Sequence, residues 1–305
     1  MTADVHPPSS ASLRVVRRLD RIALAAVFVL IAFGSAGPAR GHESDPIVLR
    51  ELTRQLSASR PPSALLLRRA ELRRIDHDWD GAAEDLDRAE ALDPEARGLE
   101  LCRGALALDR GDAAAAERSL TRELERDPRN GEASWLRARA RLALGRRSDA
   151  ARDMDAALAR LHRVTPEHWL ARAALAESLE SEGPAAALAL IERGLDALGP
   201  AFALESRAVG IEAGLGRTDD ALARLDRMAA ASARRASLLA WRGDLLAAAG
   251  RRMEACVSWS NALQELDARA AAAVLPPADA ALRQRVHAAL VRASGVPEPD
   301  RGGGR

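Results

Sequence analysis

Residues Asp76-His77-Asp78-Trp79-Asp80-Gly81 match the opening of a calcium-binding loop, and Glu84 and Asp87 stand at the later ligand spacings. Such carboxylates converge on a hard cation only if the chain stays open for about twelve residues. Two features oppose that chemistry. The final ligand is Asp87 instead of the longer Glu that binds through both oxygens, and the residues after Gly81 follow a helical apolar pattern. The segment therefore reads as a turn between two helices. The His residues are His6, His42, His77, His162, His168 and His287; no two share a helix face at i, i+4, and none joins Cys at zinc spacing. If the chain were cut after Gly41, His42 would offer amine and imidazole to copper, with no second ligand at a suitable spacing. No nucleophile elbow, phosphate loop or dinucleotide turn is present. The paired carboxylates Glu84-Asp85-Asp87 and Asp219-Asp220 read as solvated helix faces balanced by Arg. The expectation is a protein that is not an enzyme, with no catalytic residue, cofactor or metal.

The elements behind these residues are legible from composition. The chain has 305 residues, 45 basic against 44 acidic, and every basic residue is Arg. Hydrophobic residues make up 48%, chiefly Ala and Leu, whereas aromatics are 3%. Ala, Leu and Arg favour helices, and little β-branched or aromatic material remains for a sheet.

The first residues read as an address. Arg14, Arg17, Arg18 and Arg21 precede the apolar run from Ile22 to Phe33, and small residues follow. That order is the pattern of a secretory signal, with Ala39-Arg40-Gly41 as the cleavage site and Ala36 as a second choice. The run is shorter than the roughly 20 residues of a membrane span, and no Cys near the site could take a lipid anchor. Residues 1–41 are thus expected to be a signal peptide, and the chain to be exported, periplasmic or extracellular. Membrane tethering would follow only from an uncleaved signal. The mature chain would hold 40 basic and 42 acidic residues, which gives no attraction to nucleic acid.

Periodicity is the strongest signal. Arg followed by a small residue recurs at Arg69-Ala70, Arg103-Gly104, Arg137-Ala138, Arg172-Ala173, Arg207-Ala208 and Arg242-Gly243, spaced 34, 34, 35, 35 and 35. A second register is Ala82, Ala116, Ala150, Ala187, Ala221 and Ala255; Gly111, Gly145, Gly216 and Gly250 precede four of them by five positions. Four positions after each Ala comes a bulky residue, Leu86, Leu120, Met154, Ile191, Leu225 or Trp259. Apolar residues at i+3 and i+4 in 65–75 and 135–144 mark amphipathic helices. The second helices are expected to end before Asp93-Pro94, Asp127-Pro128, Thr165-Pro166 and Gly199-Pro200. Cys102 and Cys256 lie more than four repeat lengths apart, so both are expected to be free thiols.

A period of 34, small residues within both helices, Gly in the turn and Asp-Pro at the end resemble the tetratricopeptide repeat. The likeness covers residues 63–270, in units of about 63–96, 97–130, 131–165, 166–200, 201–235 and 236–270. It implies an all-α fold, a right-handed α-solenoid of about six hairpins, whose concave face of first helices binds a protein or peptide partner. Core aromatics usual in the family are replaced by Arg73, Ala107, Arg141, Ala176, Ile211 and Leu246, and the fourth unit carries about three extra residues in SLESEGP. Residues 42–62 and 271–295 read as capping helices, the latter pairing Leu282, Val286, Leu290 and Ala293, and 296–305 as a disordered tail.

Projecting the first helices directs Leu67, Glu71, Leu101, Leu108, Trp135, Arg139, Leu170, Phe202, Glu205 and Val209 toward the concave face. The Lys/Asn set with which some family members clamp a terminal carboxylate is missing. The leading expectation is an exported scaffold for a partner protein or peptide. One alternative is an accessory or metal-binding subunit of an envelope enzyme complex; another is a membrane-tethered structural array.

Overall fold

The computed structural model describes residues 46–56, 62–230 and 232–294. The expected signal segment, His42 and the tail 296–305 lie outside them. Among the described residues there is no strand, so the all-α expectation holds, and no helix there is long and apolar enough to cross a membrane. The chain divides into two compact units, with the boundary between Gly183 and Pro184.

The N-terminal unit contains α1 (Pro46–Gln55), α2 (Ser63–Ile75), α3 (Trp79–Leu92), α4 (Leu99–Asp109), α5 (Ala113–Arg126), α6 (Gly131–Ala143), α7 (Arg147–Leu158) and α8 (Pro166–Ser178). Each helix packs on the next, and in addition α2 touches α4 and α4 touches α6. The first helices of the first three hairpins thus form a continuous row, as stacked repeats require. α1 closes the start: Leu52 and Leu56 are buried, and Leu56 joins the cluster of Leu66, Leu86 and Leu99. The C-terminal unit contains α9 (Gly183–Leu198), α10 (Phe202–Gly214), α11 (Thr218–Ala230), α12 (Arg235–Ala248), α13 (Arg252–Ala272) and α14 (Pro277–Ser294). Its last helix seats Val286, fully buried, with Leu282, Leu290 and Ala293 beside it.

Small residues make each hairpin close. The second-helix Ala residues are 0–1% exposed in all six registers, and the bulky residue four positions on is buried in each. Where the first helix carries Gly instead of Ala, the facing side chain fills the space. A Cβ on Gly104 would stand 2.5 Å from Leu120 Cγ, and one on Gly243 would stand 2.4 Å from Trp259 Cδ1. Start signals are local: Asp78, Asp112 and Asn130 accept hydrogen bonds from the backbone N–H groups of Gly81, Ala115 and Ala133. α7 ends at Leu158, seven residues before Thr165, and Pro166 opens α8, the position where its missing N–H costs nothing.

The hairpin turns need a left-handed residue, supplied by Gly at 111, 145, 216 and 250, with φ of +75° to +79°. In the first hairpin the same register holds His77, at φ 61°. Left-handed backbone costs a residue with Cβ about 1–2 kcal/mol, partly offset by the unfolded-chain entropy of Gly. His77→Gly is therefore expected to stabilise the protein by about 0.5–1 kcal/mol. A urea midpoint equal to or below wild type would contradict it.

Candidate functional site

The recurring Arg, visible in the sequence only as a register mark, is a buried ion clamp. Arg69 forks onto Asp85, Nε to Oδ2 at 2.7 Å and Nη2 to Oδ1 at 2.5 Å, and Arg73 Nη1 donates to the same carboxylate at 3.0 Å. Two repeats on, Arg137 forks onto Asp153 at 2.9 and 2.8 Å, with Arg141 adding 2.8 Å. Asp85 is fully buried, which corrects its reading as a solvated carboxylate. Arg73 and Arg141 thereby occupy the positions of the absent aromatics with polar closure instead of apolar area. Where the facing residue is Ser119 or Ser258, the Arg takes its acids from the preceding hairpin: Arg103 binds Glu90 and Asp87, and Arg242 binds Asp226 while also donating to Ser258 Oγ at 2.6 Å. In the fourth hairpin the inserted turn supplies Glu182 to Arg172, alongside Asp155. The clue in the sequence was an acid sixteen positions after Arg69 and Arg137, twelve after Arg73 and Arg141.

The residues suggestive of calcium diverge. Helix α3 starts at Trp79, Asp85 turns inward to its clamp, Glu84 is exposed, and Asp87 accepts from Arg103 at 3.0 Å. Among the described residues no group of three or more His, Cys, Asp and Glu is placed to hold a metal. Cys102 and Cys256 are both free. Burial, then the nearby Glu71, pushes the Cys102 thiol up to about 12, so it stays protonated and is a poor nucleophile.

The expected groove residues separate into three kinds. Leu67 and Val209 are corrected: both are buried in the core, 8% and 0% exposed, because the helix turns them toward the neighbouring hairpin. Phe202 and Glu205 belong to the C-terminal unit. Phe202 is 47% exposed, with the Arg234 guanidinium 4.9 Å from its ring centre, and Glu205 accepts from Arg224 at 2.7 Å. The third kind lies on the first helices of the N-terminal unit: Leu101 and Leu108 on α4, Trp135 and Arg139 on α6, and Leu170 on α8, all half-buried.

Two groups that the sequence did not single out shape that face. Arg74 on α2 donates to Glu71 at 2.9 and 2.7 Å and also to Asp109 on α4, so Glu71 is already engaged. His168 on α8 accepts the Thr165 backbone N–H at Nδ1, 3.1 Å, and sets its ring edge-on to Trp135, 4.5 Å between centres and 72° between planes. Arg139 differs from its neighbours. It has no ion pair or hydrogen bond, although every other buried or half-buried Arg among the described residues has a polar partner. Burial lowers its affinity for its proton; Asp109 works the other way and Arg74 reinforces burial.

Burial also lowers the pKa of His168, only partly countered by Glu167. The folded ring then holds a proton more weakly than the unfolded chain, whose value is about 6.5. The stabilisation is complete above that pH and is lost as pH falls through the folded value, because the unfolded state protonates first. Urea midpoints measured from pH 7.5 to 5 are expected to fall more steeply for wild type than for His168→Asn, which keeps an acceptor near Nδ1 but cannot titrate. Parallel profiles would count against this account.

No family model matches the sequence, and no curated protein matches it. Among solved structures the chain is similar to a tetratricopeptide repeat protein from Parabacteroides merdae, at 14% identity and TM-score 0.44, over 92% of this chain and 100% of that one. It is similar to yeast Tom70 at 14% identity and TM-score 0.49, over 74% of this chain and 47% of that one, about half the neighbour's length. It is also similar to TTC0263, a thermophilic tetratricopeptide protein of Thermus thermophilus, at 22% identity and TM-score 0.36, over 64% of this chain and 100% of that one.

Proposed function

We propose that this chain is an exported, non-catalytic scaffold that holds a segment of a partner protein along the first helices of its N-terminal unit. Export rests on the basic flank, apolar run and small-residue site of residues 14–41. Binding rests chiefly on one observation. Trp135 and Arg139 stand one helical turn apart on α6, both half-buried, α6 packs on α4, which carries the half-buried Leu101 and Leu108, and Arg139 makes no hydrogen bond or ion pair. An aromatic and a cation on one helix face, with apolar neighbours, is the composition of binding hot spots.

N-terminal sequencing of the secreted protein tests export; a chain that keeps residues 1–41 in the membrane would refute it. Binding is tested by panning a displayed peptide library against the protein and against Trp135→Ala. Peptides retained by wild type and released by the variant support the scaffold. Failure to enrich any sequence would end it.

A further inference from the structure

We infer that Asn130-Gly131 is a self-modification site, a deamidation switch held shut while the first turn of α6 is formed and fired when that turn opens. An Asn-Gly pair is prone to this chemistry because Gly has no side chain to shield its nitrogen and turns freely. The Gly131 backbone nitrogen attacks Asn130 Cγ; a C–N bond forms, the Cγ–Nδ2 bond breaks, and ammonia leaves with the nitrogen's proton. Water then opens the cyclic imide at either carbonyl, which yields aspartate or isoaspartate. No enzyme, metal or oxidant enters the balance. The fold nevertheless demands both residues. Asn130 Oδ1 caps α6 by accepting from the Ala133 N–H at 3.0 Å, and Nδ2 donates to Glu123 on α5 at 2.9 Å. Gly131 is buried, and a Cβ there would stand 2.6 Å from the Leu161 backbone nitrogen. A labile pair is thus built into the junction of α5, α6 and the chain that follows α7.

The same contacts keep the switch shut. Ring closure requires the Gly131 nitrogen and Asn130 Cβ to eclipse across the Asn130 Cα–C bond. At the observed ψ of 99° tetrahedral geometry sets them on opposite sides of that bond. Turning ψ would break the cap, the Glu123 bond and the bonds that the Asn130 carbonyl accepts from the Ser134 N–H and Oγ. Closure therefore proceeds through local opening. The product does not refit. An aspartate puts a second carboxylate oxygen where Nδ2 met Glu123, which is 6% exposed and forms no ion pair among the described residues, and like charges so placed repel. Isoaspartate adds a methylene to the main chain beside Gly131, where the Leu161 backbone leaves no slack. Either form leaves the start of α6, the helix of Trp135, permanently loosened.

The test incubates the full chain at neutral pH, folded or unfolded in urea, and follows conversion of Asn130 by peptide mass mapping and isoaspartyl-specific methyl labelling. Asn261, inside α13 and followed by Ala262, is the internal reference. Folding is expected to slow conversion of Asn130 about ten-fold or more, in step with hydrogen-exchange protection of the Ala133 amide that it caps. Glu123→Ala removes the acceptor of Nδ2, so conversion rises several-fold while Ala133 protection falls by the same factor. Glu123→Gln keeps an acceptor oxygen and stays near wild type. Asn130→Asp encodes the product, and since Asp caps as well as Asn, any loss isolates the clash with Glu123. It is expected to lower protection at Ala133 about ten-fold. Most of that loss is regained in the Glu123→Gln background, where the Gln amide donates to the new carboxylate. Equal conversion in folded and unfolded chains would overturn the inference, as would no conversion in urea. So would full protection at Ala133 in Asn130→Asp, or a deficit that Glu123→Gln does not relieve. None of these readouts involves a partner, so the scaffold reading stands or falls separately.

Discussion

Asp85→Asn is expected to cost about 3–5 kcal/mol of folding stability, the usual result of removing one member of a buried ion cluster. The carboxylate is fully enclosed and accepts from Arg69 and Arg73, with Arg88 a further 3.7 Å away. Asn cannot balance that charge. Arg69 is itself 5% exposed and would keep only the neutral Asn oxygen and a long contact to Thr53, 3.3 Å. Urea unfolding followed by helix signal gives the measurement, supported by hydrogen exchange in α2 and α3 because repeat arrays can unfold in parts. A control separates charge from contact. Arg69→Met, Arg73→Leu and Asp85→Leu together remove the cluster as a unit and should stay within about 1 kcal/mol of wild type or exceed it. A loss below 1 kcal/mol for Asp85→Asn would mean that water reaches the pair.

The counterpart in the C-terminal unit inverts the charges. Arg224, 6% exposed, donates to Glu212 through Nε and Nη2 at 2.8–3.2 Å, to Glu205 at 2.7 Å, and to Glu192 on α9. Burial disfavours its charge, but Glu212 and then Glu205 more than compensate, and its pKa is raised. Arg224→Met keeps most of the apolar stem while stranding three carboxylates. A loss of about 3–5 kcal/mol at neutral pH is expected. The deficit should narrow in acid. A stranded Glu212 would have a folded pKa above its unfolded value, so the variant regains stability as pH falls through that folded value toward about 4. A deficit that stays constant from pH 7 to 4.5 would rule out electrostatic origin.

How far the sequence revealed this follows from what each residue type can report. Ala82 and its five equivalents could be read because a small side chain at fixed spacing has one common use, close helix approach. Gly turns were legible for the same reason, and His77 was not, since a His in left-handed backbone resembles any polar turn residue. The Arg register was visible, yet its role was hidden because the partner changes: an acid ahead in the first and third hairpins, acids of the preceding hairpin in the second and sixth, an inserted Glu in the fourth. Pro166 marked the boundary between units without saying that the preceding helix stops seven residues earlier, since a proline that opens a helix fixes no end for the one before. At the candidate site, projection found Trp135 and Arg139 on their own helix. It misassigned Leu67 and Val209, since one helix pattern does not say which apolar residues a neighbouring hairpin will cover. Nor could it show that Arg74 takes both Glu71 and, across hairpins, Asp109, so that Arg139 makes no hydrogen bond of its own.

An interior of Ala and Leu joined by ionic clamps has a thermal consequence. Exposing apolar surface raises heat capacity and exposing polar surface lowers it. With 3% aromatics and guanidinium–carboxylate clusters inside, the increment on unfolding should fall below the common ~12–15 cal/mol/K per residue. Its stability curve would then be shallow, changing little from cold to warm. Dehydrating charges also becomes less unfavourable on heating, so these clusters should hold relatively best near the upper end of the chain's working temperatures.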